Sequence, residues 1–241
     1  MFDYSELKSD FARLWDSMDV RPDKRELVTR IARKLIRHKA QYQTVEARTG
    51  VPWFVIAALH NRESDADFST YLGNGEPLNR RTTLVPKGRG PFEDWAAGAV
   101  DALALDGLDQ VKAWTPERAC FEIERFNGFG YRKRGINSPY LWSFSNHYER
   151  GKYVADGRFS PTHVDQQCGA IPVLRQLVEL DETARFKSSR PGTNPITITA
   201  ILGGILGAIA HSLGVSAGTV AVIVIATILA TVGYVLARSR R

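Results

Sequence analysis

The chain has 241 residues and a formal net charge of +6, with 44% hydrophobic and 24% charged residues. This is enough for one well-packed domain and an additional segment. The two cysteines and five histidines show no metal-ligand spacing, which excludes a structural zinc site, and we expect no metal and no cofactor.

Two helices are predicted in residues 1–50, which we expect to pack on the domain that follows. The first runs from Tyr4 to Met18 and places its apolar side chains on one face, and we expect no N-terminal secretory signal. The second runs from Pro22 to Thr49 and ends at Gly50, as helices commonly do.

The second predicted helix is strongly basic. From Arg21 to Arg48 there are nine Lys or Arg and three Asp or Glu, so that nine minus three gives +6. Such a surface suits anionic lipid, an acidic wall polymer or nucleic acid, or is simply a solvated face. Nucleic acid is not expected as a partner, because no recognised binding motif accompanies the charge.

Residues 51–180 contain the most informative feature, which is an acidic residue at the end of an apolar helix. The stretch from Pro52 to Glu63 predicts a buried helix with proline in its first turn, so the Glu63 carboxylate lies where core meets surface. Partial burial disfavours the ionised form and raises the pKa, as a general acid requires. The alternative is a solvated glutamate or a partner for Arg62.

A turn-rich excursion follows Glu63. Asn74-Gly75 is a hairpin signal, and Thr82 to Val85 predicts a short strand. Together they predict a small β-hairpin lobe beside a helical body.

This order of residues resembles the lysozyme-like superfamily, which includes phage lysozymes, endolysins and family-nineteen chitinases. Its pattern is a glutamate that closes a helix, a second carboxylate at Glu76, and Thr82 six positions later. The resemblance implies that Glu63 protonates the leaving oxygen, Glu76 activates a water and Thr82 holds that water. The interval from Glu63 to Glu76 is longer than in the usual phage lysozyme, and lytic transglycosylases of this superfamily use a single acid. Other acidic candidates are Asp65, Asp67, Glu93 and Asp94.

The resemblance extends over about residues 50 to 170 and implies a substrate cleft opposite Glu63. The segment Phe126 to Tyr131 is similar to the Asn-Gly-x-Gly-Tyr segment that lines the cleft, and aromatic residues follow it. Glycine permits close backbone approach to a sugar, and aromatic rings stack on pyranose faces. The alternative for each aromatic is ordinary core packing. The implied substrate-binding residues are Asn127, Gly128, Tyr131, Tyr140 and Trp142.

The rest of this domain has structural interpretations. Pro91 to Leu105 predicts a core helix, Gly151 to Phe159 a loop with its tip at Asp156-Gly157, and Ile171 to Leu180 the last helix. A Cys120–Cys168 disulfide is conceivable for a domain outside the cytoplasm.

The C-terminal residues predict a linker followed by a membrane segment. Residues 181–195 are rich in Ser, Pro and Gly, which predicts a flexible linker. Residues 196–237 contain no Asp, Glu, Lys or Arg, which predicts a hairpin of two transmembrane helices, at 196–210 and 219–237. A re-entrant first span and a buried core hairpin are the alternatives. Basic residues on both sides favour both ends in the cytoplasm, where a catalytic domain faces away from the wall and needs a membrane lesion, a holin or inversion of the hairpin to reach it. The alternative is the reverse orientation, which exposes the domain to the wall directly.

The expected protein is therefore mainly α, lysozyme-like, with a small β-hairpin lobe and C-terminal transmembrane helices. The resemblance implies cleavage of β-1,4 bonds between aminosugars of peptidoglycan; the alternatives are a lytic transglycosylase, a chitinase, or a non-catalytic glycan- or membrane-binding lysis protein. The implied partners are glycan strands, the membrane, and a holin or another lysis protein. The implied location is the inner membrane, with action on the periplasmic wall.

Overall fold

The computed structural model describes residues 2–155 and 157–186. The chain divides after Lys187 into two units, and only the first lies within the described residues. Its α-helices are α1 (Tyr4–Asp16), α2 (Arg25–Arg37), α3 (Lys39–Thr49), α4 (Trp53–Ser64), α5 (Trp95–Leu105), α6 (Pro116–Asn127), α7 (Pro139–Trp142) and α8 (Ala170–Leu180). Its strands are β1 (Lys152–Ala155) and β2 (Arg158–Ser160), and short 3₁₀ turns cover Pro22–Lys24, Leu108–Gln110 and Arg132–Arg134.

The centre of this part of the chain is α4. Every residue from Trp53 to Arg62 is buried. The part from Trp53 to Leu59 is apolar on all sides, as expected for a central helix, and the polar residues of the buried stretch lie near its end. It packs against α3 and α8, while α3 also packs on α5, α2 on α8, and α1 on α6. The predicted mainly helical architecture with a small sheet is confirmed for the described residues.

The single helix predicted from Pro22 to Thr49 is wrong. A 3₁₀ turn opens this segment, and the helix breaks at His38 into α2 and α3. The two helices bury their apolar faces against different neighbours, α2 against α8 and α3 against α4 and α5. One continuous helix could not pack against both sets of neighbours. No glycine or proline lies at the break, so the sequence gives no local signal for it.

The β-lobe predicted between α4 and α5 is also wrong. Only an isolated bridge from Thr70 to Pro77 forms there, and the rest consists of turns. The amides of Thr83 and Leu84 donate to the Glu76 carboxylate, so neither is free for a strand ladder. The sheet instead lies in the segment predicted as a loop, where β1 and β2 pair antiparallel.

The other structural expectations have definite outcomes. Cys120 and Cys168 are buried free thiols, so the conceivable disulfide does not form. None of the described helices is long and apolar enough to span a bilayer. The predicted linker extends past residue 186, and the predicted transmembrane hairpin at 196–237 lies wholly outside the described residues.

Candidate active site

Glu63 lies in the last turn of α4, where the buried helix reaches the surface. The preceding residues are enclosed, whereas Glu63 keeps partial solvent contact. Burial raises the pKa of the Glu63 carboxyl above its usual value of 4.5. The nearby Asp106 charge acts in the same direction, while a hydrogen bond from Tyr140 and the Arg62 charge oppose it. The net effect favours the protonated acid.

Tyr140 is the hydrogen-bond partner of Glu63. Its hydroxyl donates to Oε1 of Glu63 across a long sequence separation. The Tyr140 side chain is held in α7 and is 6% exposed, with the Arg62 guanidinium 5.2 Å from its ring centroid. Burial raises the pKa of the phenol well above its usual range, so it remains a donor. This contact fixes one carboxyl oxygen of Glu63 and leaves the other for a ligand.

Replacing Tyr140 by Phe is expected to raise the pKa of Glu63 further. The hydrogen bond from Tyr140 stabilises the ionised carboxylate of Glu63. Its removal therefore shifts the protonation equilibrium of Glu63 towards the neutral acid. A ¹³C-carboxyl NMR titration of Glu63 in both proteins measures the change. Tyr71→Phe is the matched control, because the buried Tyr71 hydroxyl also donates to a carboxylate, that of Asp101. An unchanged or lower pKa in Tyr140→Phe would contradict the assignment.

A second acid near Glu63 is Asp106, which the sequence analysis did not single out. It follows the last residue of α5, and burial raises the pKa of its carboxyl. Its charge raises the pKa values of both Glu63 and Tyr140. No hydrogen bond to the Asp106 carboxyl is found in the described part of the chain, so both oxygens are available to a water or a substrate.

Arg125 fixes the position of Asp106. Its guanidinium Nη2 donates to the Asp106 carbonyl oxygen at 2.6 Å, and its Nε donates to Glu122 at 2.7 Å. The same helix, α6, ends at Asn127 and Gly128. The end of α5 is therefore tied to the helix that carries the implied substrate-binding segment.

Glu76 and Thr82 have structural roles in the loop between α4 and α5. Glu76 accepts hydrogen bonds from the Leu84 and Thr83 amides and from the Thr83 hydroxyl, each at 2.8 Å. The amide of Leu84 is the main cause of the lowered pKa of Glu76, although partial desolvation opposes it. The Thr82 hydroxyl donates to the Pro86 carbonyl and accepts from the Arg89 amide. The resemblance implies that the Glu76 carboxylate and the Thr82 hydroxyl bind a catalytic water, but in this structure both groups are engaged by the loop itself.

The implied substrate-binding residues differ in their accessibility. Asn127 is exposed, and its side chain makes no hydrogen bond within residues 2–155 and 157–186. Gly128 adopts φ +87°, a backbone conformation that favours glycine, with open space around the Cβ position. Tyr131 is nearly buried, and its hydroxyl accepts from the Tyr153 amide at 3.1 Å. Trp142 is 1% exposed, so its predicted role as a sugar-stacking surface is wrong: the ring is part of the core.

A buried ion pair holds the Arg62 side chain, which packs on the Tyr140 ring. Arg62 Nη2 lies 2.5 Å from Asp165, and Lys152 Nζ lies 2.8 Å from the other oxygen of the same carboxylate. Burial opposes ionisation of Asp165, but the charge of Arg62 and the hydrogen bond from Lys152 hold its pKa below the usual range. The pair positions the Arg62 guanidinium against the Tyr140 ring and connects β1 to the site.

His60 belongs to the core. It is fully buried, with Nδ1 3.1 Å from the Tyr42 hydroxyl and Nε2 3.1 Å from the Asp67 carbonyl. Burial lowers its pKa to about 4, so the ring is neutral near neutral pH. Its hydrogen bonds connect α3 and the loop after α4.

The described residues contain no group of three or more His, Cys, Asp or Glu side chains placed to hold a metal ion. Comparisons of the chain with protein-family models, with curated proteins and with solved structures found no match.

Proposed function

We propose that the chain is a lysozyme-like glycoside hydrolase that cleaves β-1,4 bonds between aminosugars of peptidoglycan, with Glu63 as the general acid. The observation that carries this proposal is the partly buried Glu63 carboxyl, which has a raised pKa and one oxygen fixed by Tyr140. A protonated acid in this position donates its proton to the glycosidic oxygen as the bond to the anomeric carbon breaks. Positive charge then develops on the sugar ring.

Asp106 is the second carboxylate in this proposal, in place of Glu76. Its free oxygens can accept a proton from an attacking water, whereas those of Glu76 are engaged by the loop. A water between the two acids requires a carboxyl separation of about 6.5–9.5 Å and gives inversion, whereas about 5–5.5 Å permits direct nucleophilic attack and retention. In either case Glu63 is the acid.

A lytic transglycosylase is the second candidate, because the residue implied as base is occupied. In that reaction the sugar itself closes onto the anomeric carbon, and a single acid suffices. Its anhydro-sugar product distinguishes it from a hydrolase, which releases a reducing end. Chitin is the alternative polymer for the same chemistry.

The proposed partners are peptidoglycan glycan strands, the membrane through residues 196–237, and a holin or another lysis protein. The proposed location is the inner membrane, with action on the periplasmic wall. These proposals rest on the charge-free composition of residues 196–237 and on the resemblance of the catalytic part.

The test is incubation of the full chain with purified peptidoglycan and with chitin, followed by reducing-end assay and mass spectrometry of the products. New reducing ends on peptidoglycan support the hydrolase, and anhydro-sugars support the transglycosylase. Faster cleavage of chitin than of peptidoglycan would identify chitin as the substrate. A folded protein that releases no fragment from either polymer would overturn the enzymatic proposal.

Replacing Asp106 by Asn is expected to reduce hydrolysis by about 10²-fold or more, because a positioned base contributes roughly 10²- to 10⁴-fold. The isosteric change keeps the shape of the site and leaves the backbone contact from Arg125 intact. Product analysis measures both the rate and any shift towards anhydro-sugars. Glu93→Gln is the control, since this exposed acid precedes α5 and was itself a sequence candidate. Full activity of Asp106→Asn would remove Asp106 from the mechanism without affecting Glu63.

A further inference from the structure

A separate cavity of about 330 Å³ lies between α3 and the beginning of α5. Glu63 is not among the residues that form it. Two polar residues of α3 face it, one turn apart, together with an aromatic residue from the loop after α4 and the first residues of α5. The lining residues are Gln41, Thr44, Phe68, Asp94, Trp95 and Ala96.

The polar side chains of the cavity, from Gln41, Thr44 and Asp94, are exposed to solvent and keep hydrogen-bonding groups that a ligand can use. Within the described residues, the Gln41 side-chain amide has no hydrogen-bond partner. The Thr44 hydroxyl donates to the Ala40 carbonyl at 3.1 Å and can still accept. Asp94 uses Oδ1 to accept from the Ala97 amide at 2.7 Å, which leaves Oδ2 open. The cavity therefore presents both donors and acceptors.

The opposite wall is aromatic and held in place. Phe68 is partly exposed, and its ring meets Trp95 edge-on at a centroid distance of 4.8 Å. His60 packs against both rings, at 4.8 Å from Phe68 and 4.4 Å from Trp95. His60 is itself fixed by two hydrogen bonds, so this wall is anchored in the core. Trp95 is only 6% exposed, so the partly exposed Phe68 ring provides the contact surface for a ligand.

We infer that this cavity is a second saccharide-binding site, specific for a neutral hexose or N-acetylhexosamine unit. Sugar hydroxyls both donate and accept, as the Gln41, Thr44 and Asp94 groups require, and the C–H face of a pyranose suits an aromatic wall. The volume is at the lower end of the roughly 300–1,000 Å³ found for small-ligand sites, so the occupant is small. The Asp94 carboxylate disfavours anionic ligands, which selects a neutral sugar over an acidic one.

Such a site would hold a glycan strand at a second point. Two contacts on one polymer raise the effective concentration of the strand at the catalytic residues. This consequence rests on the proposed function, whereas the binding itself does not.

The experiment is ¹H–¹⁵N NMR of the full chain titrated with triacetylchitotriose, with the Trp95 indole cross-peak as reporter. We expect a saturable shift of this peak. The substitutions Gln41→Leu and Thr44→Met should each weaken the affinity for the sugar by about 2- to 10-fold, as expected for the loss of one hydrogen bond of about 0.5–1.5 kcal/mol. Both positions are exposed on α3, so the fold should tolerate the changes, and circular dichroism checks this.

Gln43→Leu is the matched control, since Gln43 is exposed on the same helix and does not line the cavity. Its affinity should equal that of the parent. The shift should also persist in Glu63→Gln, which separates sugar binding at this site from catalysis. A Trp95 shift in a parent protein that does not cleave peptidoglycan would overturn the proposed function and leave the sugar site standing. No Trp95 shift, or an equal shift in the parent, Gln41→Leu and Thr44→Met, would overturn the inference even if cleavage is observed.

Discussion

Replacing Glu63 by Gln is expected to lower peptidoglycan cleavage by about 10²- to 10⁴-fold, the range that a positioned general acid contributes. Glutamine has the shape of the protonated acid but cannot transfer a proton to the leaving oxygen. It can still accept the hydrogen bond from Tyr140, so the site should remain assembled. The release of reducing ends by the parent and the variant measures the effect.

The control is Glu149→Gln, because this glutamate side chain is 88% exposed and lies outside the proposed site. Its activity should match that of the parent. Equal cleavage by Glu63→Gln and the parent would remove Glu63 from the mechanism and leave the non-catalytic alternative. Thermal unfolding of each protein shows whether a loss of activity is a loss of fold.

The raised pKa of Glu63 also determines the sign of two pH dependences. The proposed reaction needs the protonated acid, so activity should fall as pH rises through the folded-state pKa. Stability follows the same direction. The contribution of Glu63 is fully present below its unfolded-state pKa and is lost as pH rises from there through the higher folded-state value.

The helices were predictable where local signals and packing agree. The apolar run of α4, the amphipathic face of α1 and the glycine after α3 each correspond to an observed helix or helix end. The break at His38 was not predictable, because it depends on which neighbours α2 and α3 contact. The missing β-lobe has a similar cause: the Glu76 carboxylate organises a turn-rich loop by taking amides that a strand would have paired.

The candidate site was predictable only in part. Glu63 was found from its place at the end of a buried helix, and Tyr140 from a resemblance that implied substrate contact. The hydrogen bond between them joins residues far apart in sequence, as does the electrostatic coupling of Asp106 to Glu63. Asp106 follows an Ala-rich core helix, and no local pattern marks it as an acid whose charge raises the pKa of Glu63.

Replacing Asp165 by Asn is expected to destabilise the fold by about 3–5 kcal/mol, because it leaves the buried Arg62 guanidinium without its counter-charge. The side chains of Arg62 and Asp165 are only 8% and 1% exposed. For a domain of this size the loss corresponds to a fall in melting temperature of roughly 6–20 °C. Denaturant titration followed by circular dichroism measures the free energy of unfolding.

Asp23→Asn is the comparison, since Asp23 pairs with Lys24 at the surface and its side chain is 65% exposed. Such a pair contributes about 0–1 kcal/mol, so its removal should have little effect. A small effect of Asp165→Asn as well would show that Arg62 finds other acceptors, such as the Gln167 and Cys168 carbonyls that it already contacts. A large effect would show that the buried Arg62 depends on Asp165 as its counter-charge. The geometry of the proposed acid then depends on a carboxylate that never touches it, because Asp165 acts on Glu63 through Arg62 and Tyr140 in turn.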